Sequence, residues 1–565
     1  MSENVDFDEQ KSEQQQEANT IEQIIDVSID SLTTEYEDWD ADFGELDSET
    51  LTETFIDFSP LEELTVLEAY PVNDPFAHVA IVFDEDLHDH RYLVFEPELL
   101  PAEAYVREDL DRIVRNVWRD QTMVELTDET GQLSKEALRD LITRHAAHVP
   151  ADTALKLLYY LDRDFTGHGP IDPMMRDGNI EDISCVGYGL PLFIYHREFR
   201  DLPTNRVFES EYLDDLVVRL AQRTGEHLTR SMPRTGGALP DGSRIQLTLG
   251  EDISDRGSNF TIRKFQEIPL TPIDLIDYNT FSVDEMAYLW FAIENNKSIL
   301  FVGPTASGKT TSMNAVSLFL PPNQKVVTIE QIRELVIPHE NWVASVTRQT
   351  TQKHEDNAVD MYDLLQDALH QRPEYLLVGE IRTEPEVVRT FFHSVFTGHP
   401  GGTTFHAKDT KSAVDRLMSE PLNVPEQMIN AIDMISVQRQ VFLGEKRVRR
   451  NYEMSEVFLS NEQLQTTPLF QWDPTSDTFD HAADLYGDSS VLQEIASERG
   501  WDELRINEEL YQRRSVLEYL LDNGYKTYDD VISAFYLFSR DREYFLEKVR
   551  ADTFDPEQVE MLRYA

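Results

Sequence analysis

Hydrophobic positions along the chain change their spacing several times, and each spacing predicts a different element. Before residue 61 the chain is rich in Glu, Asp, Gln and Ser with scattered apolar residues, which predicts an acidic, mostly disordered tail over 1–60. Apolar runs at 77–83 and 91–95 flank an acidic turn and predict two strands. Over 104–165 the apolar residues recur about every 3.6 positions, as on one face of a helix. Together these patterns predict an N-terminal subdomain of strands and helices over 61–170.

The pattern after residue 170 predicts four further segments. Residues 171–268 mix strand patterns with a helical one, which predicts an α+β domain. Residues 269–274 contain two prolines and predict a linker. Strand and helix patterns alternate over 275–460, so we expect an α/β domain built on a central sheet. The last segment, 461–565, has a polar loop near 473–480 and otherwise predicts an acidic helical extension.

The charge balance is strongly acidic throughout the chain. There are 106 Asp and Glu residues against 50 Lys and Arg, a net charge of −56, and the tail 1–60 holds only part of this excess. Such self-repulsion destabilises a compact state and is screened by concentrated salt, which favours the cytosolic protein of a halophile. The alternative is an ordinary acidic protein. In either case the field repels phosphate backbones, so we expect no nucleic-acid partner.

Cysteine usage and hydropathy restrict the compartment. Cys185 is the single cysteine, so one chain can form neither a disulfide nor a four-thiolate zinc site. The first residues lack a basic region followed by an apolar run, and no stretch reaches the length of a membrane span. We therefore expect a soluble intracellular protein without direct membrane insertion.

A glycine-rich motif predicts a phosphate-binding loop. Residues 303–310 have the pattern Gly-x-x-x-x-Gly-Lys-Thr between an apolar strand pattern and a helical one. The glycines let successive backbone N–H groups point at phosphates, and the helix N-terminus favours their charge. We expect Lys309 to reach the β- and γ-phosphates and Thr310 to hold Mg²⁺. The predicted nucleotide-binding residues are Gly303, Pro304, Thr305, Ala306, Ser307, Gly308, Lys309, Thr310 and Thr311.

Two further strand patterns end in a carboxylate, and a third leads to a histidine. The first two end at Glu330 and Glu380, and a short strand pattern at 403–405 leads to His406. A carboxylate beside the γ-phosphate can orient or deprotonate the attacking water, or hold a metal through water. Two such strands in one domain therefore predict ATP hydrolysis. The alternatives are that each carboxylate caps the next helix and that His406 is structural.

These segments together resemble the secretion ATPase superfamily, the hexameric motors of type II and type IV secretion and of type IV pilus assembly. The resemblance lies in its Walker A motif, Asp box, Walker B motif and His box, matched here by 303–310, 328–335, 377–382 and 397–406. It extends to N-terminal segments at 180–183, 239–244 and 260–265, and so covers about 170–460. The likeness is greatest to the archaeal branch, and the acidic composition independently favours a haloarchaeon.

The resemblance implies a fold and roles for particular residues. It implies a C-terminal RecA-like P-loop ATPase domain preceded by an α+β domain, with ATP and Mg²⁺ bound. Glu330 is then the water-activating base, and Glu380 is the Walker B carboxylate near Mg²⁺. His406 contacts or senses the γ-phosphate. Arg244 and Arg263 match arginines that one subunit contributes to its neighbour's nucleotide, although each could instead form a surface salt bridge.

Two residues depart from the family pattern, and one segment has no assigned role. Thr383 follows Arg382 where bacterial members often carry Asp. Gln331 stands where the family usually has Asp, which weakens a second-carboxylate role in the Asp box. Residues 446–450 form the basic cluster Lys-Arg-Val-Arg-Arg. We interpret this cluster as a subunit interface or a patch for an acidic partner, or else as a solvated strand face.

The resulting functional prediction is a cytoplasmic motor. We expect a homo-hexamer that hydrolyses ATP at the cytoplasmic face of the membrane and acts on an integral-membrane platform protein. The motion adds subunits to a type IV pilus-like filament or serves related secretion. The alternatives are the archaellum motor, a DNA-translocating RecA-type ATPase, and a nucleotide-gated scaffold that does not hydrolyse ATP.

Overall fold

The computed structural model describes residues 55–559 except for 63, 86–87, 120–134, 147–148, 266–267, 349–358, 383, 445, 461–462 and 557–558. Most of the predicted tail, 1–54, lies outside the described residues, whereas Phe55 and Ile56 at its end are buried. The chain divides into two compact units, Met1–Phe265 and Gln266–Ala565. No helix in the described part of the chain is long and apolar enough to cross a membrane.

The described residues of the first unit form one nine-stranded sheet, in the order β1-β2-β3-β6-β5-β4-β9-β8-β7. Its strands β1 to β9 are Thr65–Asn73, Ala77–Asp84, Asp89–Phe95, Ile180–Cys185, Pro191–His196, Arg200–Val207, Arg234–Ala238, Arg244–Thr248 and Asn259–Arg263. The runs at 77–83 and 91–95 are confirmed as strands β2 and β3. The sheet therefore joins the predicted subdomain 61–170 to the predicted domain 171–268.

Strand β2 is buried on both faces, which explains its continuous apolar run. Val79 and Ile81 pack into one core, while Ala80 and Val82 pack into another. The helices α1 to α5 of this unit are Pro101–Arg119, Lys135–His145, Ala151–Leu161, Asp172–Arg176 and Ser210–Arg223. The apolar stripe predicted over 104–165 belongs to the first three of them, which share a small core of their own.

The second unit is built on a mixed sheet, which in its described residues has the order β12-β11-β13-β14-β10-β15-β16-β17-β18. Strands β10 to β18 are Ile299–Val302, Val326–Glu330, Trp342–Val346, Tyr375–Ile381, Gly401–Phe405, Met434–Leu443, Lys446–Ser460, Gln463–Asp473 and Thr478–His481. The strands from β12 to β15 in this order are parallel, and those from β15 to β18 are antiparallel. Helices interleave with the parallel strands, as expected for an α/β domain.

Helices α6 to α12 of this unit are Pro272–Asp277, Val283–Glu294, Lys309–Ser317, Met361–His370, Pro385–Phe396, Thr410–Met418 and Glu426–Ile429. Helix α6 begins inside the segment that we expected to be a linker. Thr271 caps it by accepting a hydrogen bond from the Asp274 N–H, while the Asp274 carboxylate accepts one from the Thr271 N–H. This capping box fixes the start of the helix.

Two strands follow residue 460, where we expected helices. Strands β17 and β18 continue the sheet, and the polar loop near 473–480 is the turn between them. Arg450 on β16 stabilises this turn through a bidentate ion pair with Asp477, with N···O distances of 2.7 and 2.8 Å. The β-sheet therefore extends about twenty residues further than the hydrophobic pattern predicted.

Beyond the sheet the chain is helical, as predicted. Helices α13 to α17 are Leu485–Asp488, Ser490–Arg499, Glu503–Asp522, Tyr528–Arg540 and Arg542–Ala551. Their apolar residues share one core with α7, where Trp290 contacts Phe535 and Phe538 at ring-centroid distances of 4.6 and 4.7 Å. The C-terminal helices are therefore an integral layer of the second unit.

Candidate active site

The phosphate loop connects β10 to α8 and adopts a conformation that requires glycine at two positions. A Cβ atom on Gly303 would lie 2.3 Å from the Gln438 carbonyl oxygen and 2.5 Å from Ser307 Oγ, so no side chain fits there. Gly308 immediately precedes α8 with φ of 96°, and Ala306 has φ of 60°. Both values lie in the left-handed region, which glycine adopts without steric cost. The loop thus has the tight turn that the motif predicts.

Lys309 is the first residue of α8 and lies against the loop. Its side chain is buried, and Nζ donates a hydrogen bond to the Pro304 carbonyl at 2.9 Å. Thr310 and Thr311 follow on the first helical turn and are half-buried, whereas Thr305 is exposed. A lysine, two hydroxyls and the first N–H groups of the helix therefore occupy one end of α8, which is a favourable place for phosphates.

Glu330 ends strand β11 as a buried carboxylate without a cationic hydrogen-bond partner. Oε1 accepts N–H groups of Glu334 and Leu335 at 2.9 and 3.0 Å, while Oε2 is buried and has no hydrogen-bond partner. Burial raises the pKa of Glu330 to about 8. The N–H groups that it accepts belong to a loop, not to a helix. Glu330 therefore organises the Asp-box loop and does not cap a helix.

Glu380 lies on the neighbouring strand β13 and pairs with His406. His406 Nε2 is 2.5 Å from Glu380 Oε1, and Arg382 Nε donates to Oε2 at 3.0 Å. Burial and the charge of Lys309 lower the pKa of His406, against an opposing effect of Glu380. His406 also hydrogen-bonds to the backbone of Gly303, so it lies at the phosphate loop.

Sheet topology explains why residues distant in sequence meet here. Strands β11, β13, β14 and β10 are adjacent and parallel, so their carboxyl ends form one edge of the sheet. Ligands of such sheets bind at that edge. Gly379 supports the arrangement, since a Cβ there would lie only 3.1 Å from Glu330 Cγ. Lys309, Glu330, Glu380 and His406 therefore belong to one site.

The two predicted arginines, Arg244 and Arg263, belong to the first unit, whereas the phosphate loop belongs to the second. Arg244 on β8 and Arg263 on β9 are directly opposite each other, and Arg263 is also opposite Asp182 on β4. Arg263 is exposed and Arg244 is half-buried. Like charges directly opposite on neighbouring strands are destabilising. Asp182, which lies opposite Arg263, offsets part of that repulsion.

Two residues that sequence reasoning missed contact the loop. Gln440 Nε2 and Arg449 Nε both donate to the Ala306 carbonyl, at 2.8 and 3.2 Å. Arg449 belongs to the basic cluster 446–450, which we interpreted as one patch. Arg450 is buried and pairs with Asp477, so it is not part of an exposed patch, while the role of the remaining cluster residues stays a prediction. The alternation of sides along a strand was the signal that could have separated these two arginines.

The donor set at this edge fits Mg²⁺. Magnesium prefers oxygen ligands and binds through one or two carboxylates together with substrate phosphates. Thr310 supplies a hydroxyl at the start of α8, and Glu380 supplies a half-buried carboxylate near the end of β13. These are the residues that would hold the ion directly or through water.

Comparison with known proteins identifies the family. A family model described as "Type II/IV secretion system protein" matches residues 208–503, just over half of the chain. Models described as "PilB3-like, N-terminal" and "PilB3-like, C-terminal" match residues 38–98 and 476–556. A Methanocaldococcus jannaschii relative, "Uncharacterized protein MJ0900", is 34% identical over 501 residues, 83% of this chain and 88% of the relative. The chain belongs to the type II/IV secretion ATPase family.

Bacterial proteins are also similar to this chain. "Protein VirB11" of Rhizobium radiobacter is 25% identical over 324 residues, which are 52% of this chain and 92% of the relative. Among solved structures, the Legionella pneumophila ATPase DotB is 19% identical over 64% of this chain and 94% of its own, with a TM-score of 0.38. The family model and the Methanocaldococcus relative confirm the resemblance to secretion ATPases, and this relative fits the archaeal branch. The predicted fold class is likewise confirmed.

Proposed function

We propose that this secretion ATPase is an ATP-hydrolysing motor for a type IV pilus-like filament or a related export system. The observation that carries the proposal is the convergence of Lys309, Glu330, Glu380 and His406 at one edge of the parallel sheet. The two PilB3-like regions support pilus assembly over the archaellum alternative. The net charge of −56 disfavours the DNA-translocating alternative.

The residues at this edge can divide the chemistry among them. The phosphate loop and Lys309 bind and orient the phosphates. A general base is most effective when its pKa lies near the operating pH, and the pKa of Glu330 is about 8. Glu330 therefore accepts the proton of the attacking water, and His406 holds Glu380 in place. Thr310 and Glu380 would hold Mg²⁺, which when bound would neutralise phosphate charge.

The arginines complete the proposal at the level of the assembly. We infer a homo-hexamer in which Arg244 and Arg263 of one subunit approach the nucleotide of the next. There they would neutralise charge that develops on the transferred phosphoryl group, as arginine fingers do.

Coupling to the membrane follows from the same cycle. A ring at the cytoplasmic face would act on an integral-membrane platform protein without entering the bilayer. Nucleotide can drive such a motion only if it binds one arrangement of the subunits more tightly than another. The archaellum alternative has the same site and differs in the filament that the motion serves.

The test is Mg²⁺-dependent ATP binding and hydrolysis by the full chain in molar KCl, with sizing in the same buffer. Lys309→Ala is expected to lose nucleotide binding, because the loop loses its phosphate-binding cation. Glu380→Gln is expected to bind ATP without cleaving it. Lys411→Ala, which removes an exposed lysine on α11, is the matched control and should resemble the wild type.

Three results would contradict the proposal. A wild type that neither binds nor hydrolyses ATP would exclude the motor. Hydrolysis that survives in Glu380→Gln would exclude the assigned site. A particle that stays monomeric with ATP bound would exclude the ring.

A further inference from the structure

Arg449, from the basic cluster 446–450, lies against the phosphate loop together with a residue of the facing strand. Arg449 and Gln440 are directly opposite each other on β16 and β15. Gln440 Nε2 donates to the Ala306 carbonyl at 2.8 Å, and Arg449 Nε donates to the same oxygen at 3.2 Å. One cross-strand pair thus supplies two donors to a single carbonyl of the loop.

The Ala306 carbonyl lies at a residue with an unfavourable backbone conformation. Ala306 carries a Cβ and yet has φ of 60°, a region that residues other than glycine rarely adopt. The Arg449 side chain also packs over the next turn, with Cδ 3.4 Å from the position of a Cβ on Gly308. A strained backbone persists when its surroundings hold it in place. Gln440 and Arg449 are those surroundings at Ala306.

The β15–β16 hairpin is fixed where it meets the loop. The Gln438 carbonyl fills the space beside Gly303, so the hairpin contacts the start of the loop as well as its middle. The Gln438 side chain donates to Asn451 at 3.2 Å, and Asn451 donates to Glu285 at 2.7 Å. All three side chains are buried, and Glu285 is part of the N-terminal capping box of α7. The hairpin is therefore a rigid support for the loop.

A fixed loop binds phosphates better than one that must be ordered. The backbone N–H groups of the loop point at the phosphates only in its left-handed turns, and ordering a segment on binding reduces affinity. Holding the Ala306 carbonyl keeps those N–H groups in position before the nucleotide arrives.

We propose that Gln440 and Arg449 are positioning residues that raise nucleotide affinity by holding the phosphate loop at Ala306. This inference rests on the proposed nucleotide site and assigns a function to Arg449 within it. Arg449 must supply its Nε donor as well as a positive charge, because Nε is the atom that donates to the Ala306 carbonyl. Lysine at position 449 keeps the charge but lacks this planar donor.

The experiment measures the Kd of MgADP and MgATP by calorimetry, with kcat and the nucleotide-free Tm, on the full chain in molar KCl. The variants are Gln440→Leu, Arg449→Lys and the double variant. Arg447→Met, an exposed arginine two positions along the same strand, controls for lost charge. Each single variant should raise Kd about 3- to 10-fold, as for loss of one hydrogen bond. The double variant should raise Kd by more than either single variant.

Two further readouts separate positioning from general stability. The nucleotide-free Tm and the kcat at saturating ATP should stay close to wild type, and Arg447→Met should bind normally. Wild-type affinity in the double variant, or a Tm that falls in proportion to affinity, would overturn the inference. The wild-type titration separately tests the site: if it shows no binding, the proposed function itself is wrong and this inference falls with it.

Discussion

Two buried carboxylates in the second unit have opposite electrostatic surroundings. Glu509 on α15 is paired with Arg505, Arg513 and Arg542, the first two at 2.6 and 2.9 Å. Burial alone would raise its pKa, but the hydrogen bond and charge of Arg513 outweigh burial and lower it. Glu330 is equally buried, accepts only backbone N–H groups, and has its pKa raised to about 8.

The difference separates a structural charge from a functional one. A buried carboxylate surrounded by arginines is permanently ionised, and it stabilises the contact between helices. A buried carboxylate without a cation changes its protonation near neutral pH, and such groups cluster at functional sites. Glu509 therefore belongs to the fixed part of the molecule, and the raised pKa of Glu330 supports the role that we propose for it.

Arg513 is the central side chain of the ion-pair cluster around Glu509. Arg513 is fully buried, pairs with Glu509, and also reaches Glu294 at the end of α7 at 2.5 Å. Its guanidinium lies 4.9 Å from the centroid of the Phe291 ring. This residue ties the C-terminal helices to α7, the helix that precedes the phosphate-loop strand β10.

The largest expected effect on stability comes from removing the contacts of Arg513 between the C-terminal helices and α7. Arg513→Met should lower the free energy of unfolding by about 3 kcal/mol or more, because it leaves the buried Glu509 and the half-buried Glu294 short of a cation. Denaturant unfolding in molar KCl measures the change. Arg514→Met is the matched control, since Arg514 pairs with Asp284 and Glu518 at the surface. That variant should lose less than about 1 kcal/mol. Equal losses in the two variants would contradict the comparison.

A pH-dependent effect is expected from Glu330→Gln, and over any single pH unit it is smaller than the effect of Arg513→Met. The folded-state pKa of Glu330 is raised from an ordinary 4.5 to about 8. The protonated carboxyl group therefore stabilises the fold fully below pH 4.5, and this contribution is lost as the pH rises through about 8. Glu330→Gln has no carboxyl group to titrate at this position, so its stability does not fall in this way. Its free energy of unfolding relative to wild type should rise by about 1 kcal/mol per pH unit between those values. Unfolding curves at several pH values measure it, and a constant difference would contradict the raised pKa.

Sequence reasoning identified the parts of the site that are local in the chain. The phosphate loop follows from the spacing of Gly303, Gly308 and Lys309, and the ends of strands β11 and β13 follow from apolar runs closed by a carboxylate. The same reasoning stopped the sheet near residue 460. Strand β17 mixes threonines with Pro468 and lacks a continuous apolar run, so tertiary pairing determines it more than local preference.

Other features depend on contacts between distant segments. Gln440 and Arg449 lie 134 and 143 residues from Ala306, and no spacing rule connects them. The direct opposition of Arg244 and Arg263 depends on strand register, which the motifs do not specify. The protonation of Glu330 depends on its burial, which only the packed structure determines.

The most direct test of the account is steady-state Mg²⁺-dependent ATP hydrolysis by Glu330→Gln and wild type near neutral pH in molar KCl. Loss of a positioned general base costs about 100-fold or more in rate. We therefore expect turnover to fall by at least that factor, while the variant stays folded and still binds ATP. A folded variant that hydrolyses ATP at close to the wild-type rate would show that Glu330 is not the functional carboxylate.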